Sequence, residues 1–194
     1  NTAQIKAMTS LQIKALTSTQ LNVLVTEDLQ AIDASDIAAI DAATIGALTT
    51  DQLTSLTTAQ IKALTSAEVR AISSTKIAAL KSEQIKSLST TVLATLTADQ
   101  ILKIDPAKIS TLDTSQIKAL GTAQVRALTS DQLNGLTSTQ LQALSSAGIS
   151  SITTANLNAL LSSQVALLTT AQVQALSSDQ IASLGDTSTS TLAA

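Results

Sequence analysis

Aliphatic residues recur along the chain at two positions of an eight-residue period. One row runs from Ile5 to Ile181, and a second row follows three residues behind it, from Met8 to Leu192. The 194 residues divide into 24 octads followed by two alanines, with no insertion or deletion. Repetition at a short fixed period is typical of a solenoid, in which each repeat packs mainly on its neighbours.

The polar positions of the octad carry signals for the start of a helix. We number the positions p1 to p8, so that Thr57 is p1 and Leu64 is p8. Position p1 is Ser, Thr, Asp or Asn in 19 of 24 octads, and p4 is Gln in 14. This spacing is that of a capping box, in which the p1 side chain caps the helix and the p4 side chain reaches back to the p1 backbone N–H. Pro106 follows Asp105 at the first helical position, where proline is tolerated. Each octad is therefore predicted to form one capped helix of roughly two turns, with the next cap residue as the corner.

Three other architectures fit the pattern less well. In one continuous helix the aliphatic rows would drift by about 80° per octad and wind around every side. A β-solenoid would place p5 and p8 on opposite faces of a strand, and five glycines are few for its corners. Antiparallel pairs of longer helices need connections of roughly 2 to 8 residues. We expect an all-α solenoid of 24 octapeptide repeats that winds into a rod-like superhelix over residues 1–184. Residues 185–194, where p5 becomes Thr189, are expected to form a degenerate final repeat, a cap or a linker.

The composition removes much of the usual chemistry of enzymes. The chain has no His, Cys, Phe, Trp or Tyr, so it lacks an imidazole base, a thiolate nucleophile and an aromatic stacking platform. The net charge is −3 and no Lys or Arg follows Arg126, so no basic stripe runs along the chain. The longest apolar runs, such as 165–168, fall far short of the roughly 20 residues of a membrane span. We predict no enzymatic activity, no cofactor, no binding of nucleic acid and no membrane insertion.

Three polar features were weighed against a purely structural role. The densest acidic cluster offers oxygen ligands for Ca²⁺, although two of its members are in cap register; it comprises Glu27, Asp28, Asp33, Asp36 and Asp41. A hydroxyl beside Lys76 or Lys81 would imitate a Ser–Lys nucleophile pair, but nothing in the sequence lowers the pKa of these lysines. The p2 hydroxyls, which capping does not explain, form a candidate binding row: Thr50, Thr58, Ser66, Ser74 and Ser82. The structural role is favoured for the first two, so no catalytic, cofactor-binding or metal-binding residue is predicted.

The repeats LTTAQIKAL at 56–64 and LTTAQVQAL at 168–176 resemble the short tandem repeats of very large bacterial secreted or surface proteins of the adhesin kind. The resemblance covers the whole chain and implies an extracellular structural or adhesive role, with no catalytic residues to carry over. Because the sequence opens at Asn1 within a repeat, we expect it to be a segment of a longer chain. The rival interpretation is a surface-binding module, in which a regular Ser/Thr lattice contacts polysaccharide, ice or a host surface.

Within this role we expect a rigid spacer or the subunit of a filament or sheath. Self-association is expected through residues 127–194, where p6 carries no charge. The p6 residues there are Asn134, Gln142, Ser150, Asn158, Ala166, Gln174 and Ala182. Uncharged side chains cost little to desolvate, and a contact repeated along a surface gains by avidity.

Overall fold

A computed structural model describes residues 1–184 and shows one short α-helix in each octad, with no strand in this part of the chain. The helices fall into two compact units, Asn1–Leu96 and a second that begins at Thr97. The first unit contains α1 Thr2–Lys6, α2 Ser10–Lys14, α3 Ser18–Asn22, α4 Thr26–Gln30, α5 Ala34–Ile37, α6 Ala42–Ala47, α7 Thr50–Ser55, α8 Thr58–Ala63, α9 Ser66–Ala71, α10 Ser74–Ala79, α11 Ser82–Ser87 and α12 Thr90–Leu93. The second unit contains α13 Ala98–Lys103, α14 Pro106–Ile109, α15 Thr114–Ala119, α16 Thr122–Ala127, α17 Ser130–Asn134, α18 Ser138–Ala143, α19 Ser146–Ser151, α20 Thr154–Asn158, α21 Ser162–Val165, α22 Thr170–Gln174 and α23 Ser178–Ser183.

The predicted capping register is confirmed, and α8 shows how it works. Thr57 is extended, with φ −66° and ψ 157°, and its hydroxyl accepts the Gln60 N–H at 3.2 Å. At the other end Leu64 is also extended, with φ −54° and ψ 137°. The corner therefore takes two residues, p8 and the next p1, rather than the cap residue alone. For this reason the helices are only 4 to 6 residues long, shorter than the two turns expected.

Helices three octads apart pack on each other within each unit. In the first unit every such pair is in contact, from α1 with α4 to α9 with α12. The second unit repeats the arrangement, for example in α13 with α16 and α20 with α23. Three helices therefore complete one coil of 24 residues, and the unit has three sides. The expected α-solenoid is confirmed, and its number of helices per coil is three.

The core of each unit is aliphatic, as the two rows of the sequence predict. The p5 side chains are almost completely inaccessible, as at Ile61 and Ile117, and the p8 side chains line the corners, as at Leu64. Small residues let successive coils approach closely: a Cβ added at Gly46 of α6 would lie 2.6 Å from the carbonyl oxygen of Ala71 on α9. Residues 185–194, including the expected terminal repeat, lie outside the described residues.

Candidate functional site: the glutamine corners

The buried polar side chains of residues 1–184 all occupy one octad position, p4. Eleven are glutamines and the twelfth is Glu68. The glutamines are Gln52, Gln60, Gln84, Gln100, Gln116, Gln124, Gln132, Gln140, Gln164, Gln172 and Gln180. Because a buried polar group is costly unless it is hydrogen-bonded, their partners define what this position does.

Gln60 binds two different coils through the two ends of its amide. Its Oε1 accepts the backbone N–H of Thr57 at 2.9 Å, which is the capping-box bond predicted from the sequence. Its Nε2 donates to the carbonyl oxygens of Leu29 at 3.0 Å and Ile32 at 2.8 Å. These carbonyls lie at the end of α4, where a helix leaves its last C=O groups without intrahelical partners. One side chain thus caps the start of its own helix and the end of a helix in the preceding coil.

We call this arrangement a glutamine corner: a p4 side chain, the p1 N–H of its own octad, and the carbonyls 28 to 31 residues earlier. Its amide-to-carbonyl half recurs in both units. Further examples are Gln52 with Leu21, Asn22 and Leu24, Gln84 with Leu53, Thr54 and Leu56, Gln132 with Ile101 and Ile104, Gln140 with Ser110 and Leu112, Gln164 with Leu133, Asn134 and Leu136, Gln172 with Leu141, Gln142 and Leu144, and Gln180 with Ser150 and Ile152. The sequence analysis recognised only the capping half of this residue.

Other donors replace glutamine at p4 in two octads. The ammonium of Lys76 donates to the carbonyl of Gly46 at 2.9 Å, and Asn156 Nδ2 donates to the carbonyl of Leu128 at 2.8 Å. Both acceptors lie at the end of the helix four octads earlier, as in the glutamine corners. The chemistry required at this position is therefore a hydrogen-bond donor directed at the preceding coil. The presence of Lys and Asn in the glutamine register was the signal from which this requirement could have been read.

Amides at p6 add contacts in the opposite direction. Gln30 donates to the carbonyl of Ser55 at 2.6 Å, 25 residues ahead. Gln142 does the same with Leu167 at 3.0 Å. Asn134 both donates to a following carbonyl and accepts the Leu161 N–H at 3.2 Å. Several p6 side chains that the sequence suggested as free contact groups therefore bind the next coil.

The acidic cluster is distributed among helix starts and is not assembled into a site. Asp28 accepts a hydrogen bond from the Thr2 hydroxyl at 2.9 Å, and the amino terminus lies 3.9 Å from its other oxygen. Asp33 and Asp41 precede α5 and α6, and Asp41 caps α6 by accepting the Ala43 N–H at 2.9 Å. Residues 1–184 contain no group of three or more acidic side chains placed to hold a metal ion.

The lysines considered as partners of a hydroxyl nucleophile have structural positions. The ammonium of Lys76 binds the end of α6, as described above. Lys81 occupies p1 before α11, and its backbone N–H donates to Gln84 Oε1 at 2.9 Å. The geometry therefore uses Lys76 as a helix cap and uses the backbone of Lys81 in a capping bond.

The p2 hydroxyls do not form one continuous row. Because three helices make a coil, successive p2 residues fall on successive sides of the unit. Thr50 of α7 shares a side with Ser74 of α10, and Thr58 of α8 shares the next side with Ser82 of α11. Helices that pack are roughly 8–10 Å apart, which sets the spacing between hydroxyls on one side. The regular lattice expected from the sequence is therefore divided among three sides.

A shallow cavity of about 400 Å³ lies in the second unit beside the corner between α16 and α17. Its lining includes Asp99, Leu102, Arg126 and Asn156. Asparagine is one methylene shorter than the glutamine found at most p4 positions, and the cavity lies at this shorter side chain. The Asn156 amide is already bound to the Leu128 carbonyl, so the cavity coincides with a variant corner of the stack.

Fold and corner geometry together define a class: an α-solenoid of tandem octapeptide repeats joined by buried p4 amides. A family model described as the ALTTAQ repeat matches residues 29–66, 58–90, 101–146 and 149–186, which together cover about three quarters of the chain. The chain belongs to this repeat family. The six letters of its name correspond to p7 through p4 of the next octad, which are the residues that build the corner. A comparison with curated proteins gave no match. Within residues 1–184, no helix has the length and apolar character needed to cross a membrane.

Proposed function

We propose that the chain is a structural protein of the cell exterior, a repeat segment that works as a rigid spacer or as the subunit of a filament or sheath. One observation carries this proposal. The buried polar groups of residues 1–184 all lie at p4, and most of them donate to the preceding coil. The polar interior is thus used to hold coils together. The extracellular, bacterial setting rests on the resemblance of the LTTAQ repeats to those of surface proteins.

A spacer must resist being pulled apart along the stack, and the corners oppose that motion directly. Separating two coils breaks the amide-to-carbonyl bonds, each contributing roughly 1 kcal/mol net. It also leaves helix-end carbonyls unpaired and exposes the p5 and p8 side chains. The corners act together because one coil carries up to three of them. Stability of this nearest-neighbour kind is typical of solenoids, in which coil interfaces contribute nearly additively.

Single-molecule stretching tests the spacer role. With handles on both ends of the chain, we expect rupture in steps that correspond to whole coils of 24 residues, each releasing roughly 80 Å of contour. The Gln132→Ala and Gln140→Ala double variant lacks two adjacent corners and is expected to rupture at lower force. The matched control is Gln12→Ala with Gln20→Ala, because these exposed glutamines are seen only in capping bonds. Featureless extension at low force would reject a load-bearing role.

Self-association is tested by light scattering as a function of concentration. The structure improves the design of a charged variant, because Lys can be placed once on each side of the second unit at exposed p6 positions. Asn158→Lys, Ala166→Lys and Gln174→Lys together meet this condition, since α20, α21 and α22 occupy the three sides. We expect the wild-type chain to associate and this variant to associate less. A neutral triple variant, with Gln, Ser and Asn at the same three positions, is the control. A wild-type chain that stays monomeric would reject the filament role and leave the spacer role.

A surface-binding module is the second candidate, favoured by the paired hydroxyls at p2. Thr58 and Ser82 share one side of the first unit. Sedimentation with an insoluble polysaccharide measures binding directly. Binding that is lost in a Thr58→Val and Ser82→Val variant, with the fold unchanged, would replace the structural role by this one.

A further inference from the structure

Glu68 is the one acidic side chain among the buried p4 residues of 1–184, and it is only 2% exposed. Its Oε2 accepts the backbone N–H of Thr65, the capping-box bond of α9. Its Oε1 is inaccessible to solvent and has no hydrogen-bond partner. In the glutamine corners the atom at this end of the side chain is an NH₂ group that donates to the preceding coil.

The repeat register identifies what lies opposite that oxygen. Counting back by 31 and by 28 residues, the distances used by Gln60, gives the carbonyls of Ile37 and Ile40 at the end of α5. Carbonyl oxygens only accept hydrogen bonds, and an ionised carboxylate also only accepts. The C-terminal end of a helix adds partial negative charge. An ionised Glu68 would therefore place acceptor against acceptor in a buried position.

No cation on the packed helices relieves this conflict. Neither α6 nor α12, the two helices that pack on α9, carries an ionisable side chain. The nearby charges of the preceding coil are the acids Asp33 and Asp36 with α5 and Asp41 before α6. On α9 itself Arg70 is exposed to solvent. One octad later, the ammonium of Lys76 shows that a positive donor satisfies the same position.

We infer that Glu68 is held as the neutral acid in the folded chain, with its Oε1–H donating to the carbonyls at the end of α5, so that ionisation of this one residue loosens a coil interface. The first unit thus contains a pH-sensitive joint at α9. Burial raises the pKa of Glu68 above its ordinary value of 4.5, and the hydrogen bonds from Thr65 oppose that rise only in part. Because the folded-state pKa is raised, the contribution of Glu68 to stability is complete below pH 4.5 and is lost as pH rises through the folded-state pKa.

Glu68→Gln tests the inference with the residue that the repeat itself uses at p4. Urea unfolding of the full chain is followed by circular dichroism between pH 4 and pH 8. We expect the variant to have the higher midpoint at pH 8 and the difference to shrink toward pH 4. The control is Glu83→Gln, which changes an exposed p3 glutamate on α11. Equal pH dependence in the wild type and Glu68→Gln would overturn the inference.

Hydrogen exchange supplies a local measurement. At pH 8, amides at the end of α5 and in α9 should exchange faster in the wild type than in Glu68→Gln, while those of α2 exchange equally. Exchange that is equal in α5 and α9 would also overturn the inference. The proton is distinguished from a bound cation by repeating the pH 8 unfolding with added Na⁺, K⁺ or Ca²⁺ at constant ionic strength. A midpoint difference that one of these ions abolishes selectively would place a metal ion, instead of a proton, beside Oε1.

Discussion

Gln132→Ala should destabilise the second unit far more than a lost capping box does. Gln132 is 1% exposed, accepts the Thr129 N–H at 2.9 Å, and donates to the carbonyls of Ile101 at 2.9 Å and Ile104 at 2.6 Å. The Ile101 carbonyl keeps a backbone bond from the Ile104 N–H after the substitution. Two groups therefore lose a close partner, the Thr129 N–H and the Ile104 carbonyl.

The expected cost follows from these two groups. Leaving a buried donor or acceptor unsatisfied costs about 1–3 kcal/mol. The Thr129 N–H is partly exposed and regains a bond to water, whereas the Ile104 carbonyl is enclosed by the corner. Together with the gap left by the removed side chain, we expect a loss of about 3 kcal/mol in the free energy of unfolding.

The matched control is Gln20→Ala in α3. Gln20 is exposed, and its Oε1 accepts the Thr17 N–H at 2.9 Å in the same capping geometry. Its loss should cost about 1 kcal/mol or less, because water replaces the bond. Urea unfolding monitored by circular dichroism measures both values, with the slope compared to detect a change in the unfolding mechanism. Equal costs for the two variants would show that the bonds to the preceding coil contribute nothing beyond capping.

Three further predictions address the core, the close approach of coils and the corner chemistry. Ile117→Asp buries a charge in the p5 row and should cost several kcal/mol, whereas Lys118→Ala, one position on and exposed, should be nearly silent in the same unfolding assay. Gly46→Ala should lower the thermal midpoint by forcing α6 from α9, at a cost of about 1–3 kcal/mol. Gly135→Ala is its control, because the nearest atom to an added Cβ there lies at 3.3 Å, and a comparable loss in both would contradict the packing argument. Gln132→Glu should create a second pH-sensitive corner, with the variant losing stability relative to the wild type as pH rises from 4 to 8; a pH-independent difference would count against the donor requirement.

The sequence was sufficient to predict the helices, their caps and the two aliphatic rows, because each depends on interactions within one octad or on apolar burial. It was insufficient for the number of helices per coil. A period of eight residues is compatible with any number, and the angle between helices is set by the backbone at p8 and p1, as at Leu56 with φ −55° and ψ 141°. That number in turn decides which side chains share a side. The division of the p2 and p6 rows among three sides could not be foreseen for the same reason.

The glutamine corner was half predicted. The capping bond is local and is visible in the spacing of Thr57 and Gln60. The second half joins atoms 28 to 31 residues apart, a distance that has meaning only once the coil contains three octads. Glu68 was therefore treated as an equivalent of glutamine, since both complete a capping box. Only the orphaned Oε1 shows that the two residues differ in what they offer the preceding coil.

The three-sided coil separates two lengths that the repeat makes look equivalent. The octad is the smallest element that can be copied without breaking a helix or a cap, but 24 residues is the smallest length that returns a side chain to the same side. Gain or loss of a single octad within a unit would keep every corner pairing possible while moving all later surface residues one side around. Surface patterns that must face one partner can therefore be inherited intact only when the gene grows or shrinks by three octads at a time.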